Sequence, residues 1–238
     1  MSFFVVLLVL FFVNFLLGIL VIKKNPKSFT NRGLSFFTFS FSLWIFSLAF
    51  LFKTGGSELW GRLAFAFVSF APAGLVLFSF SFAAGESGLP KLSTKKVTTL
   101  LFFTSLFFIA SIAGLVATEP RIQGRGITGE LGPLYPFFML YFFSCLCLFF
   151  WQLVRKYKKV TKIYKRQILY IFLGVFLFIS FAVTTNLILP VLGIFEFNSL
   201  GPLFSIFFVG LTSYAIIKHR LMDIRMVVAK SITYSFLI

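Results

Sequence analysis

The amino-acid sequence predicts an all-α membrane protein, a bundle of seven transmembrane helices. Hydrophobic residues make up 59% of the 238 residues and charged residues 12%, whereas soluble domains hold about 45–50% and about 25%. The mean hydropathy of +1.02 agrees. At 1.5 Å per residue, seven apolar runs are each long enough to cross about 30 Å of hydrocarbon. The predicted spans are approximately 3–22, 34–52, 62–84, 97–117, 134–154, 168–191 and 200–218.

The distribution of lysine and arginine between these spans predicts their orientation. Eighteen of the 22 basic residues lie in the gaps after spans 1, 3, 5 and 7; the other four are Lys53, Arg62, Arg121 and Arg125. Basic residues stay on the cytoplasmic side of a membrane. We therefore expect an outside N-terminus and a cytoplasmic C-terminus. Because the net charge of +16 is divided among these gaps, the expected partner is the lipid bilayer, with anionic headgroups at its cytoplasmic face, and not nucleic acid.

Span 1 is an apolar run of about twenty residues near the N-terminus. Span 1 has no basic start and no small-residue cleavage site before Lys23, so we interpret it as a retained helix and not as a signal peptide. Asn14 lies inside it, and an amide in hydrocarbon needs a hydrogen-bond partner. We therefore expect Asn14 to bond a neighbouring helix.

Small residues and prolines mark spans 3, 5 and 7. Ala64, Ala66 and the segment 71–74 of span 3, and Ser205 and Gly210 of span 7, predict close helix contacts. Pro72 should kink span 3, whereas Pro136 and Pro202 fall in first turns, where proline is tolerated. Cys145 and Cys147 in span 5 point apart on a helix, which predicts ordinary packing and no metal site.

Polar residues collect near the predicted outer ends of the later spans. Asn186 in span 6 should hydrogen-bond a neighbouring helix, and Pro190 should end or kink that span. The loop 118–133 contains four glycines and two prolines, which favours an irregular solvated connector. The alternative is a lid over a small polar vestibule. The candidate ligand-binding residues there are Trp60, Tyr135, Asn186 and Glu196.

The sequence gives no sign of an active site or cofactor. Ionisable residues are missing from the centre of every predicted span, which argues against ion pumping, and span 7 offers no lysine for a retinal Schiff base. His219 lies between Lys218 and Arg220 and is interpreted as an interfacial cation at a helix end. Glycine-rich phosphate loops and catalytic triads are also lacking. We therefore expect a protein that is not an enzyme and uses no metal or cofactor.

Several segments, in this order and spacing, resemble a known family. They are Leu59–Phe65, Gly132–Pro136, Lys156–Lys158, Arg166–Tyr170, Thr185–Gly193, Leu200–Leu203 and Ser213–Arg225. The set is similar to the N-terminal seven-transmembrane sensor region of bacterial membrane histidine kinases. The resemblance implies a multi-pass sensor in the bacterial cytoplasmic membrane that transmits a stimulus to a cytoplasmic output domain. It also implies a homodimer or a separate kinase as partner.

The resemblance divides the chain into two parts. Residues 1–225 form the sensor domain, and residues 226–238 look like the apolar start of a further segment that is cut short at Ile238. Two other functions stay open. One is a channel or carrier for a neutral apolar solute, to which the missing intramembrane charges are no objection. The other is a purely structural role in binding a partner.

Overall fold

The computed structural model describes residues 3–89, 93–123, 126–189, 192, 194 and 196–219, and it is mostly helical. Its helices and strands are α1 (Phe3–Lys24), α2 (Phe29–Lys53), α3 (Glu58–Val68), α4 (Phe70–Ser81), α5 (Ala84–Ser87), α6 (Thr94–Ile112), β1 (Ala117–Gln123), β2 (Gly126–Leu131), α7 (Tyr135–Tyr157), α8 (Lys162–Val183) and α9 (Ser205–His219). A π-helix, Thr184–Ile188, follows α8, and a 3-10 helix, Asn198–Phe204, precedes α9.

Seven segments of the described chain are long and apolar enough to cross a membrane, which confirms the predicted bundle. The third of them, Glu58–Ser81, joins α3 and α4. Helix ends differ from the predicted spans by several residues. For example, α2 begins at Phe29, because Ser28 caps it and accepts a hydrogen bond from the Asn31 N–H at 3.4 Å.

The loop 118–133 is not irregular, and that expectation was wrong. β1 and β2 pair as an antiparallel hairpin, with Ile122 opposite Ile127. The register shifts between Thr118 and Arg121, where Pro120 follows Glu119 at a φ of 45°. A proline is tolerated in a strand at such a bulge, because the ladder loses no hydrogen bond there. The glycines and prolines of this loop therefore led to the prediction of an irregular connector where the structure has a pair of strands.

The core centres on α2, which packs against α1, α3 and α4. A Cβ on Gly33 would lie 2.6 Å from the Phe78 backbone nitrogen, and one on Gly74 would lie 2.6 Å from that of Phe37. The backbones of α2 and α4 therefore touch, as the small residues of span 3 predicted. For Gly210 the same expectation was wrong, since nothing lies within 4 Å of a Cβ placed there.

The third span is broken near its middle, and a polar contact lies at the break. The helix breaks at Ser69, between α3 and α4, and Pro72 lacks the N–H that would bond the Val68 carbonyl. The helix is interrupted close to Pro72, and the predicted bend of its axis there stays a prediction. The Tyr141 hydroxyl of α7 donates to the Ser69 carbonyl at 3.0 Å, and it lies 2.7 Å from the Thr104 hydroxyl of α6. The hydrogen bonds at this break therefore connect the third, fourth and fifth spans.

Buried polar groups also tie together the first and last spans. The Asn14 amide of α1 donates to the Ser205 hydroxyl of α9 at 3.3 Å and to the Leu10 carbonyl at 2.9 Å. This confirms the predicted contact with a neighbouring helix.

The two ends of the bundle differ in charge. Lys23 and Lys24 end α1, and Arg155 and Lys156 end α7; we call this the basic end. The hairpin β1–β2 lies in the connection at the other end, which we call the hairpin end. Which of the two ends faces the cytoplasm stays a prediction.

Candidate functional site

At the hairpin end, strand β1 lies directly against the turn that opens α3. A Cβ on Gly61 would come within 2.6 Å of the Pro120 ring, and one on Gly56 within 2.7 Å of the Pro120 carbonyl oxygen. Only glycine leaves room for this approach, and Gly56 also has a φ of +104°, which favours glycine. One edge of the hairpin is therefore fixed to the bundle by backbone contact.

Strand β2 is held from the other side by a single asparagine. Asn198, the first residue of the 3-10 helix, accepts a hydrogen bond from the Ile127 N–H at 2.8 Å. Its amide donates to the Ile127 carbonyl at 2.5 Å. One side chain thus binds both backbone groups of Ile127 in the manner of an adjacent strand. The hairpin is coupled directly to the segment that opens the last span.

The 3-10 helix in turn packs against the π-helix that ends α8. A Cβ on Gly201 would lie 2.6 Å from the Asn186 amide nitrogen, so the two segments touch there. Asn186 donates to the Ala182 carbonyl at 2.9 Å and to the Thr185 hydroxyl at 3.1 Å. Among the described residues, Asn186 therefore bonds its own helix and no neighbouring one, so the predicted hydrogen bond to a neighbouring helix was wrong.

The four candidate ligand-binding residues make no direct contact with one another in the part of the chain that the structure describes. The Trp60 ring stacks on Phe50 with centroids 4.8 Å apart and packs on the main core, whereas Tyr135 meets Phe65 at 6.3 Å and packs on a second apolar cluster. Asn186 and Glu196 are both exposed. No hydrogen bond or ring contact joins any two of the four in the described part of the chain. Their role in ligand binding stays a prediction.

Sequence reasoning missed Asn198, which holds the site together. The available signal was an asparagine three residues before Gly201-Pro202, at the opening of a span. The predicted kink at Pro190 and the side chain of His219 lie outside what the structure describes.

The contacts described at the hairpin end are hydrogen bonds and close packing between backbone segments. Among the described residues, no cluster of three or more histidine, cysteine, aspartate or glutamate side chains is placed to hold a metal ion. Two of the acids at this end pair locally, Glu58 with Arg62 at 2.5 Å and Glu119 with Arg121 at 2.7 Å. What the geometry provides is a connection from an extramembrane hairpin to the last span.

Comparison with known families gives a match that covers most of the chain. The family model described as the N-terminal 7TM region of histidine kinase matches residues 6–225 of this chain. Neither the curated proteins nor the solved structures show a significant match to this chain.

Proposed function

Because the chain belongs to the family of N-terminal 7TM regions of histidine kinases, we propose that it is a receptor module whose last span carries a stimulus to a kinase output domain. It is a multi-pass membrane protein with seven candidate spans. In this proposal the membrane is the bacterial cytoplasmic membrane and the basic end faces the cytoplasm. The working unit is a homodimer or a complex with a separate kinase.

The observation that carries the proposal is the double hydrogen bond between Asn198 and Ile127. In this proposal the hairpin receives the stimulus, and Asn198 lies seven residues before α9. From Ser205 to His219, α9 runs for 15 residues, or about 22 Å at 1.5 Å per residue. A displacement of the hairpin would therefore act on the start of α9, and α9 ends at the basic end of the bundle.

Signal transmission also needs an element with two arrangements that a stimulus can bias. The π-helix Thr184–Ile188 and the 3-10 helix Asn198–Phe204 use different hydrogen-bond registers from the α-helices that they extend. A change between such a register and the α register rotates and shifts the attached helix. Their contact at Gly201 and Asn186 supports a movement of α8 and α9 together.

A chimera tests this coupling. Residues 1–225 would be fused to the cytoplasmic part of a heterologous histidine kinase, and basal autophosphorylation measured in membranes. Asn198→Ala removes two hydrogen bonds of about 0.5–1.5 kcal/mol each, so we expect basal activity to change about fivefold in either direction. Asn198→Asp keeps the acceptor but loses the amide donor and should give a smaller change.

The matched control for this experiment is Asn25→Ala, in the turn before α2 at the basic end. Asn25 accepts a hydrogen bond there from the Lys27 N–H at 3.2 Å. If Asn198→Ala and Asn25→Ala chimeras, present at equal levels, both kept wild-type basal activity, the proposed coupling would be wrong.

The four candidate ligand contacts are a separate part of the proposal. Once a stimulus is known, Tyr135→Ala or Glu196→Ala should raise the stimulus concentration needed for half-maximal output. Unchanged responses in both variants would remove these residues from the binding site.

The rival function, a channel or carrier for a neutral apolar solute, has a direct test. The purified chain in liposomes would be examined for release of trapped neutral solutes. Release above that of protein-free liposomes would replace the receptor proposal.

A further inference from the structure

An open groove of about 280 Å³ runs between α6 and α7. It starts at the basic end and extends into the bundle. The residues that matter for its chemistry are Lys96, Thr99, Leu100 and Phe103 on α6 and Tyr141 and Ser144 on α7.

The groove exists because α6 and α7 pack on other helices more than on each other. α6 packs mainly on α3 and α4, and α7 on α4 and α8. The two meet at the Thr104 and Tyr141 hydroxyls, 2.7 Å apart, which bound the groove at its deep side. Toward the basic end the helices leave an open cleft.

The groove has the depth of one lipid leaflet. Eight residues separate Lys96 from Thr104 on α6, which is about 12 Å of helix. Half of a hydrocarbon core of about 30 Å is about 15 Å. The groove therefore extends from the headgroup level to near the middle of the bilayer. Its wall is apolar along that path, with Leu100 and Phe103 on α6 and the small side chain of Ser144 opposite.

Lys96 makes the mouth of the groove positively charged on the side of α6, and Arg155 adds a second cation further out on α7. Lys96 is exposed on α6. Arg155 is exposed on α7, eleven residues after Ser144 and so on the same helix face. Its guanidinium lies 4.5 Å from the centre of the Trp151 ring, and tryptophan favours the headgroup level. Neither Lys96 nor Arg155 forms an ion pair with a described acid, since the ion pairs seen involve Arg62 and Arg121.

We propose that this groove binds one anionic phospholipid from the leaflet at the basic end. The phosphate lies near Lys96 at the mouth, and one acyl chain lies along Leu100 and Phe103. The charge at the mouth selects the anionic headgroup, and the match in depth selects a lipid over a shorter apolar solute. This proposal depends on the membrane-spanning bundle and not on the receptor function.

Native mass spectrometry of the full chain in detergent tests the proposal. The protein would be titrated with phosphatidylglycerol and, separately, with phosphatidylcholine of the same acyl chains. We expect the first phosphatidylglycerol to bind more tightly than phosphatidylcholine. Since a basic residue near an anionic surface contributes about 1 kcal/mol, Lys96→Gln should weaken that first site about fivefold.

Two neighbouring residues provide matched controls. Lys95→Gln removes the same charge one residue away, outside the groove lining, and should leave the first site nearly unchanged. Thr99→Phe fills the groove without changing charge and should abolish the first site, whereas Thr98→Phe on the exposed neighbouring position should not. Both threonines are exposed, so both variants should fold.

Three outcomes would overturn the proposal. Equal binding of the two lipids would remove the selection by charge. Equal losses in Lys96→Gln and Lys95→Gln would indicate general surface attraction. Loss of a dimer in Thr99→Phe, without loss of lipid, would show that a second copy of the chain occupies the groove.

Discussion

At the scale of single residues, the most unusual side chain is Lys156. The sequence places it among the basic residues in the gap after span 5, but it is fully buried. Its ammonium donates to the carbonyl of Phe80 at 2.8 Å and to that of Phe82. These carbonyls end α4, and a cation at a helix C-terminus satisfies unpaired acceptors and interacts favourably with the helix dipole. Lys156 therefore joins the ends of α4 and α7.

Replacing Lys156 by methionine tests this role, because methionine keeps the length of the side chain but has no donor. The two carbonyls would stay buried without this partner, so we expect the variant to lose about 1–3 kcal/mol of stability. Thermal unfolding in detergent would measure the loss. The control, Lys158→Met, changes an exposed lysine two residues away and should leave the unfolding temperature unchanged. Equal stability of the two variants would contradict the proposed bond.

At the scale of helices, the contact between α2 and α4 depends on two glycines. Gly33 faces the backbone of Phe78, and Gly74 faces the backbone of Phe37, each with room for hydrogen alone. Rings then extend the contact to the later spans, since Phe37 meets Phe208 and Phe41 meets Phe178, both at 4.9 Å. Helices that approach this closely gain dispersion energy over a long stretch of backbone.

Adding one methyl group at Gly74 should force these helices apart. Gly74→Ala places a Cβ about 2.6 Å from a backbone nitrogen, and such overpacking costs about 1–3 kcal/mol. Gly210→Ala makes the same change in a helix where no atom lies within 4 Å, so its stability should stay equal or rise slightly. Unfolding in detergent would compare the two. A Gly210 variant less stable than the Gly74 variant would contradict this account of the packing.

The sequence predicted the helices, the interruption near Pro72 and a few contacts such as that of Asn14, but not the contacts that join the ends of the spans. Hydropathy located all seven spans because each must hide its backbone from hydrocarbon over a fixed length. The break near Pro72 followed from the missing N–H. The contacts of Asn198 and Lys156 join residues 71 and 76 positions apart, and no local pattern specifies such pairs. The hairpin was missed because Pro120 and the glycines are typical of irregular loops and rare inside strands.

At the scale of the whole molecule, the charge asymmetry is the main evidence on orientation. Eighteen of 22 basic residues lie in alternate gaps of the sequence, and the basic and hairpin ends of the fold agree with that alternation. Basic segments resist translocation across the membrane. The charge pattern therefore predicts that the basic end is cytoplasmic and the hairpin end external.

Cysteine labelling in intact cells tests this orientation. In a background with Cys145 and Cys147 changed to alanine, Thr54→Cys places a thiol at the hairpin end and Asn25→Cys places one at the basic end. Both positions are exposed. A membrane-impermeant maleimide should label the thiol at position 54 only, and permeabilised cells should allow labelling of both. Labelling at position 25 alone in intact cells would reverse the predicted orientation.

The bond made by Lys156 also sets an order of events during synthesis. Phe82 leaves the ribosome 74 residues ahead of Lys156, which is about 4–15 s at about 5–20 residues per second. Throughout that interval, the last carbonyls of α4 must be solvated by water or lipid headgroups. The first three spans can assemble early through their glycine contacts. The end of α4 at the basic end therefore reaches its final hydrogen bonding only when the fifth span arrives.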